Sequence, residues 1–126
     1  MNSVLDASAI LALLLGETGA EEVEAKLDAS CVSAVNVAEV IAKLMEKGFR
    51  KERALGLWSG LAVEVIDFNA DQAIGSGLLR LSTQAAGLSL GDRACLNLAA
   101  LRAATAVTAD RAWSRVNIGV PVELVR

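Results

Sequence analysis

The sequence predicts a single α/β domain over residues 1–126, in which a mostly parallel sheet of about five strands is flanked by helices. Short apolar runs alternate with longer segments whose apolar residues recur at helical spacing, which is typical of a parallel sheet covered on both faces. The length of 126 residues suffices for one hydrophobic core and is too short for two. No repeat, linker or low-complexity stretch divides the chain.

Each predicted element has a local signal in the sequence. Strands are expected at residues 4–5, 31–33, 63–66, 106–108 and 122–125, where short apolar runs occur. Helices are expected at residues 9–15, 20–27, 36–47, 50–61, 70–86, 89–104 and 110–116. In the third of these, Val37, Val40 and Leu44 form an apolar stripe, and Gly48 is a suitable residue to follow its end. Gly87 is expected to end the helix at 70–86.

The composition indicates that some apolar residues remain exposed on the surface. Its 54% hydrophobic content exceeds the roughly 45–50% of ordinary globular domains. With a mean hydropathy of +0.47, this content favours a surface that binds a partner. No apolar run reaches the ~18 residues of a membrane span, and the apolar segment 9–15 lacks the basic region of a signal peptide. We therefore expect a cytoplasmic protein with no membrane partner.

The absence of histidine limits the chemistry that is available. Ser-His-Asp triads and Cys-His nucleophiles are excluded because they require histidine, and zinc fingers because two Cys without His cannot provide four ligands. Cys31 and Cys95 lie in apolar surroundings and are expected to be buried free thiols. Polar chemistry must then depend on carboxylates, hydroxyls, amides, Lys or Arg.

Carboxylates recur at the ends of predicted elements. Asp6 follows the first strand and Asp110 follows the fourth, so both are expected at the carboxyl edge of the sheet, where ligands of parallel α/β proteins bind. Asp92 opens the helix at 89–104. Asp6 and Asp92 each have a structural alternative, because an Asp before a helix is commonly an N-cap and Ser89-x-x-Asp92 is a capping box. Glu39 lies opposite the apolar stripe of its helix, where a solvated position is the alternative.

These residues and their flanks resemble the PIN-domain nucleases, and more narrowly the VapC-type toxins of toxin–antitoxin pairs. The matching stretches are Val4-Leu5-Asp6-Ala7-Ser8-Ala9-Ile10, Asn36-Val37-Ala38-Glu39-Val40, Leu88-Ser89-Leu90-Gly91-Asp92 and Val107-Thr108-Ala109-Asp110. They occur in the family's order and span nearly the whole chain, which implies one PIN-like domain over residues 1–126. One departure is Gly91, because many relatives carry a larger residue there.

The resemblance implies a metal-dependent endoribonuclease that has an antitoxin partner and forms a homodimer. It implies that the metal-binding and catalytic acids are Asp6, Glu39, Asp92 and Asp110, and that Ser8 and Thr108 are supporting hydroxyls. Converging carboxylates repel one another by about 4 kcal/mol per pair at ~4 Å, so such a cluster needs protonation or a cation. Oxygen ligands without His or Cys favour Mg²⁺ or Mn²⁺ over zinc. Such a cluster would also carry much of the net charge of −3.

Arginines next to two of these acids are candidates for RNA contacts. Arg93 follows Asp92 and Arg111 follows Asp110, and both could meet phosphates. The basic cluster Arg50, Lys51 and Arg53 could do the same, although a solvated helix face explains it as well. Few aromatic residues favour recognition of RNA shape over base stacking.

Two other functions remain open at this point. One is a PIN-like module that binds RNA or assembles with partners and does not cut. The other is a phosphotransfer domain that uses Asp6 as its nucleophile. Against the second, no further acid follows Asp6 directly, and no Lys follows a strand in the usual supporting place.

Overall fold

A computed structural model describes residues 2–126 and contains a five-stranded sheet in the order β3-β2-β1-β4-β5. Met1, which begins the predicted domain, lies outside the described residues. The strands are β1 Ser3–Leu5, β2 Ser30–Ser33, β3 Glu64–Ile66, β4 Thr105–Thr108 and β5 Val122–Leu124. All neighbouring strands pair in parallel, which confirms the predicted fold class.

Helices connect consecutive strands, as parallel pairing requires. They are α1 Ala7–Leu15, α2 Ala20–Lys26, α3 Ala34–Glu46, α4 Lys51–Ser59, α5 Ala70–Leu78, α6 Arg80–Thr83 and α7 Leu90–Arg102. Short 3-10 helices cover Leu27–Ala29 and Arg111–Arg115. The expectation of one continuous helix over 70–86 was wrong, because it divides into α5 and α6 at Leu79. Gly75 and Gly77 weaken α5 just before this break, where Leu79 N–H bonds the Ser76 carbonyl in a tighter turn.

The sheet separates two hydrophobic cores, because successive side chains of a strand point to opposite faces. One core is covered by residues of α1 to α4 and receives Leu5, Val32 and Val107 from the strands. The other is covered by α7 and the buried Trp113 and receives Val4, Cys31 and Ala106. Both predicted free cysteines are buried. In the part of the chain that the structure describes, no helix is long and apolar enough to cross a membrane.

Three helices begin at the carboxyl edge of the sheet. Helix α1 follows β1, α3 follows β2, and α7 runs back toward the start of β4. The central strands β1 and β4 end side by side there, since the Asp6 amide donates to the Val107 carbonyl at 3.0 Å. Side chains that follow these strands or open these helices are therefore brought to one edge.

Candidate metal centre

Asp6 lies at the end of the central strand and is buried, with 2% of its surface exposed. Its Oδ1 accepts the Ala9 N–H at 2.8 Å, so the residue is the N-cap of α1, as the structural alternative predicted. Burial raises the pKa of the Asp6 carboxyl to about 7, against hydrogen bonds from Thr108, Ala9 and Ser8 that lower it. The charge of Asp92 raises this pKa as well. Asp6 is therefore a buried acid that has a negative neighbour.

The two hydroxyls named from the sequence hold the Asp6 carboxylate on both sides. Ser8 Oγ lies 2.8 Å from Oδ1 and 2.9 Å from Oδ2, and Thr108 Oγ1 donates to Oδ2. Ser8 Oγ in turn accepts the Ala109 N–H at 2.9 Å, and Thr108 Oγ1 accepts the Asp110 N–H at 3.0 Å. Each hydroxyl donates its single hydrogen to Asp6, so its lone pairs are free to accept a backbone N–H from the residues that follow β4. The carboxylate is thus fixed to the ends of both β1 and β4.

Asp92 lies in the first turn of α7, where the predicted capping box is present. Its Oδ2 accepts the Ser89 N–H at 2.9 Å, and Ser89 Oγ accepts the Asp92 N–H at 3.3 Å. Partial burial raises the pKa of Asp92, hydrogen bonds to Ser89 lower it, and the charge of Asp110 raises it. The capping bonds engage one carboxylate oxygen, so capping and ligand binding are compatible in this residue.

Glu39 is half-buried and lies against α7. Burial raises its pKa, the hydrogen bond from Asn36 lowers it, and the charge of Asp92 raises it. Asn36 Nδ2 donates to Glu39 Oε1 at 2.7 Å. The helix therefore directs Glu39 toward the acids at the carboxyl edge instead of into open solvent.

Asp110 is exposed and caps the 3-10 helix that follows β4, its Oδ1 accepting the Ala112 N–H at 3.0 Å. The two candidate RNA-binding arginines differ in their surroundings. Arg111 is exposed, whereas Arg93 is half-buried and donates from Nη1 to the Ser76 carbonyl at 3.1 Å. Arg111 is thus open to a ligand, and Arg93 is engaged between α5 and α7.

The four acids are electrostatically coupled through Asp92, which influences Asp6 and Glu39 and is influenced by Asp110. The ion pairs formed within residues 2–126 all involve other acids: Lys26–Glu123, Lys43–Glu46 and Arg126–Glu17. Within the same residues, no three Asp, Glu or Cys side chains surround a common point as metal ligands. Mg²⁺ usually keeps several waters and takes one or two carboxylates, so the oxygen-only donor set with no paired cation fits this ion.

Two residues at this edge had no role assigned to them from the sequence. Asn36 is fully buried and bonds both Glu39 and the Gly91 carbonyl. Its position three residues before Glu39 was an available signal, because such residues share a helix face. The other is Gly91, whose backbone contacts the Glu39 carboxylate. A glycine within a helix, where it is disfavoured, was the corresponding signal.

The fold and the site define a class: α/β domains in which a parallel sheet gathers acidic side chains at its carboxyl edge. A family model described as PIN domain matches residues 3–119. Since this match covers most of the chain, the protein belongs to the PIN domain family.

Solved structures with the same fold come from several bacteria. The chain is similar to one in DNA-bound VapBC from Salmonella typhimurium, with a TM-score of 0.77, 23% identity and coverage of 100% of this chain and 99% of that one. For VapBC2 from Rickettsia felis, bound to a promoter DNA fragment, the TM-score is 0.76, the identity 22% and the coverage 100% of both chains. A toxin–antitoxin complex from Klebsiella pneumoniae gives 0.72 and 20%, covering 99% and 98%. No curated protein matches the sequence significantly.

Proposed function

We propose that this protein is a Mg²⁺- or Mn²⁺-dependent endoribonuclease and the toxin of a VapC-type toxin–antitoxin pair. The observation that carries the proposal is Asp6, a buried carboxylate at the end of the central strand with an acidic neighbour and no ion-pair partner among residues 2–126. A buried charge without a partner is costly, and a bound cation would remove that cost. Membership of the PIN family supports the nuclease assignment.

Asp6 and Asp92 are proposed to hold the principal ion, and Glu39 and Asp110 to complete the site or orient water. A bound divalent cation supplies positive charge that offsets the phosphate and makes water more acidic. Ser8 and Thr108 keep the Asp6 carboxylate in one orientation by bonding both of its oxygens. Asn36 holds the Glu39 carboxylate through one of its oxygens, Oε1. The exposed Arg111 is proposed to pair with a phosphate of the substrate.

The substrate is proposed to be a folded RNA that is recognised mainly through its shape. Trp113 is fully buried and Trp58 packs partly against a core, so neither offers an open ring on which a base could stack. Proteins that bind single strands without sequence preference commonly depend on such stacking. Contacts to phosphates and 2′-hydroxyls suit a chain with little aromatic surface.

The partners are proposed to be a cognate antitoxin and a second copy of this chain, in the cytoplasm where RNA and antitoxin meet. The fold is shared with chains of toxin–antitoxin complexes. Ile74, Leu78 and Leu81 are large exposed apolar residues of α5 and α6, and such surface suits a protein partner. Light scattering after size-exclusion chromatography is expected to give the mass of a dimer, and a monomer at high concentration would contradict this expectation.

The nuclease is tested by incubating the protein with labelled structured RNA in Mg²⁺, Mn²⁺ or EDTA. We expect cleavage that requires the metal and is lost in Asp6→Asn. Asp28→Asn is the matched control, because Asp28 is exposed and precedes β2 at the opposite edge of the sheet. Equal cleavage by wild type and Asp6→Asn would contradict the proposal.

A module that does not cut is the second candidate. It is favoured by the finding that no three acids of residues 2–126 form a preassembled metal site. This candidate predicts RNA binding without cleavage in either metal, and without an effect of Asp6→Asn.

A further inference from the structure

The first turn of α7 contains a buried glycine that touches a carboxylate from another helix. A Cβ built on Gly91 would overlap both carboxylate oxygens of Glu39 and the carbon between them. A Cβ added in the same way to the helical residues Gly56 or Gly77 would have no atom within 4 Å. The space at Gly91 is therefore occupied by one particular group, which comes from α3.

Asn36 fixes that group to the backbone of α7. It is fully buried, and its Nδ2 donates to Glu39 Oε1 at 2.7 Å and to the Gly91 carbonyl at 3.1 Å. Both amide hydrogens are thus used. The opposite orientation of the amide would place Oδ1 against a carboxylate, so these bonds determine which atom faces Glu39. Within the described chain Asn36 Oδ1 has no hydrogen-bond partner. An unpaired buried acceptor lowers stability, and this cost accompanies the orientation in which the amide joins Glu39 to Gly91.

We propose that Gly91 is a positioning residue: by lacking a side chain, it admits the Glu39 carboxylate to the first turn of α7, next to Asp92. This inference rests on the proposed metal site and extends it. Glu39 and Asp92 come from elements that are far apart in sequence, and the contact between α3 and α7 brings them to the same edge. A larger residue at position 91 would keep the helix and exclude the carboxylate.

Packing alone does not account for the glycine. Alanine is favoured over glycine within helices. The atoms that an alanine Cβ would displace are the end of a flexible side chain, which can rotate away without moving the backbone. The fold can therefore accept alanine at position 91, and the placement of Glu39 is what such a change would alter.

The test is calorimetric titration with Mn²⁺ of the wild type, Gly91→Ala, Glu39→Gln, the double variant of these two, and Asp92→Asn. Gly91→Ala is expected to weaken binding by about tenfold, within the 10- to 100-fold range of lost supporting contacts. The double variant is expected to bind no more weakly than Glu39→Gln, because Gly91 acts through Glu39. Gly56→Ala is the matched control and should bind as the wild type does. The melting temperature of Gly91→Ala should equal or exceed that of the wild type.

Three outcomes would overturn the inference. Wild-type affinity in Gly91→Ala, with weakened binding in Asp92→Asn, would refute the role of Gly91 and leave the metal site intact. Additive losses in the double variant would show that Gly91 acts on something other than Glu39. Unchanged Mn²⁺ affinity in Asp92→Asn would contradict the proposed metal site, and the role of Gly91 with it.

Discussion

Helix α7 contacts α3 and α5, and in both contacts a glycine backbone lies against a polar side chain. At α3 the pair is Gly91 and Glu39, and at α5 it is Gly75 and Asn97. The Asn97 amide is neutral, and its Nδ2 reaches the Gln72 carbonyl at 3.4 Å, so it bonds one helix to the other. The Glu39 carboxylate is charged and is placed near a second acid, Asp92.

The difference shows that similar close packing can serve two purposes. Between α5 and α7, Asn97 and Arg93 donate hydrogen bonds to backbone carbonyls, as when Arg93 donates to the Ser76 carbonyl. Between α3 and α7 the packing brings two acids together, which destabilises the fold unless a carboxyl is protonated or a cation is bound. We therefore propose that the α5–α7 contact serves stability and that the α3–α7 contact serves the proposed metal site, and each of the following predictions tests that division.

The largest effect is expected at Asp92, in the first turn of α7, in contrast to Asp71 in the first turn of α5. Asp92→Asn should lower metal-dependent cleavage by more than about 100-fold, because the loss of outer contacts to a metal site already costs 10- to 100-fold. Asp71→Asn, in the first turn of α5, should leave cleavage unchanged. Initial rates on one structured RNA at saturating Mg²⁺ compare the two. Similar rates for both variants would remove the distinction between the helices.

Alanine at the two glycines is expected to act in opposite ways on stability. Gly75→Ala would force the Asn97 amide out of a close helix contact, at a cost of about 1–3 kcal/mol. Gly91→Ala should be neutral or up to about 1 kcal/mol more stable, since a flexible carboxylate gives way and helix propensity improves. Urea denaturation of the metal-free proteins measures both values. Equal destabilisation would mean that both glycines serve packing.

A smaller effect is expected at the arginines. Arg111→Gln should raise the KM for RNA a few-fold and make cleavage less sensitive to salt, as the loss of one phosphate contact does. Arg93→Gln should leave the KM unchanged and lower stability by about 1 kcal/mol, because its hydrogen bond lies between α5 and α7. Cleavage measured over a series of salt concentrations distinguishes the two. A raised KM in Arg93→Gln would show that this residue also meets the substrate.

The sequence predicted the sheet and the acids that follow its strands more completely than the contacts between helices. Apolar runs determined the strands, and the Ser89-x-x-Asp92 pattern predicted a capping box that the structure contains. The helical pattern of α3 described how that helix faces its own core, so it left Glu39 on the opposite, solvated side. Glu39 is half-buried by α7, which is distant in sequence, so the apolar pattern of α3 could not predict this contact. The break at Leu79 was missed because apolar spacing continues through it, while the backbone tightens after two glycines.

The proposed occupancy of the carboxyl edge by a cation has a consequence for stability. In the metal-free folded protein, burial raises the pKa of Asp6 from its ordinary value of 3.8 to about 7. The folded state therefore retains a proton that the unfolded chain loses, so stability falls as pH rises from about 4 to about 7. The difference corresponds to about 4 kcal/mol. Burial raises the pKa of Glu39 and Asp92 as well, which acts in the same direction.

The most direct measurement is the unfolding free energy of wild type and Asp6→Asn between pH 4 and pH 8, with and without Mn²⁺. Without metal, the variant should gain on the wild type as pH rises through this window, because it has no carboxyl at position 6 to ionise. At neutral pH, Mn²⁺ at 100 times its dissociation constant should stabilise the wild type by about 2.7 kcal/mol and the variant much less. A pH-independent difference between the two proteins, with Mn²⁺ stabilising both equally or neither, would contradict a metal site built on Asp6.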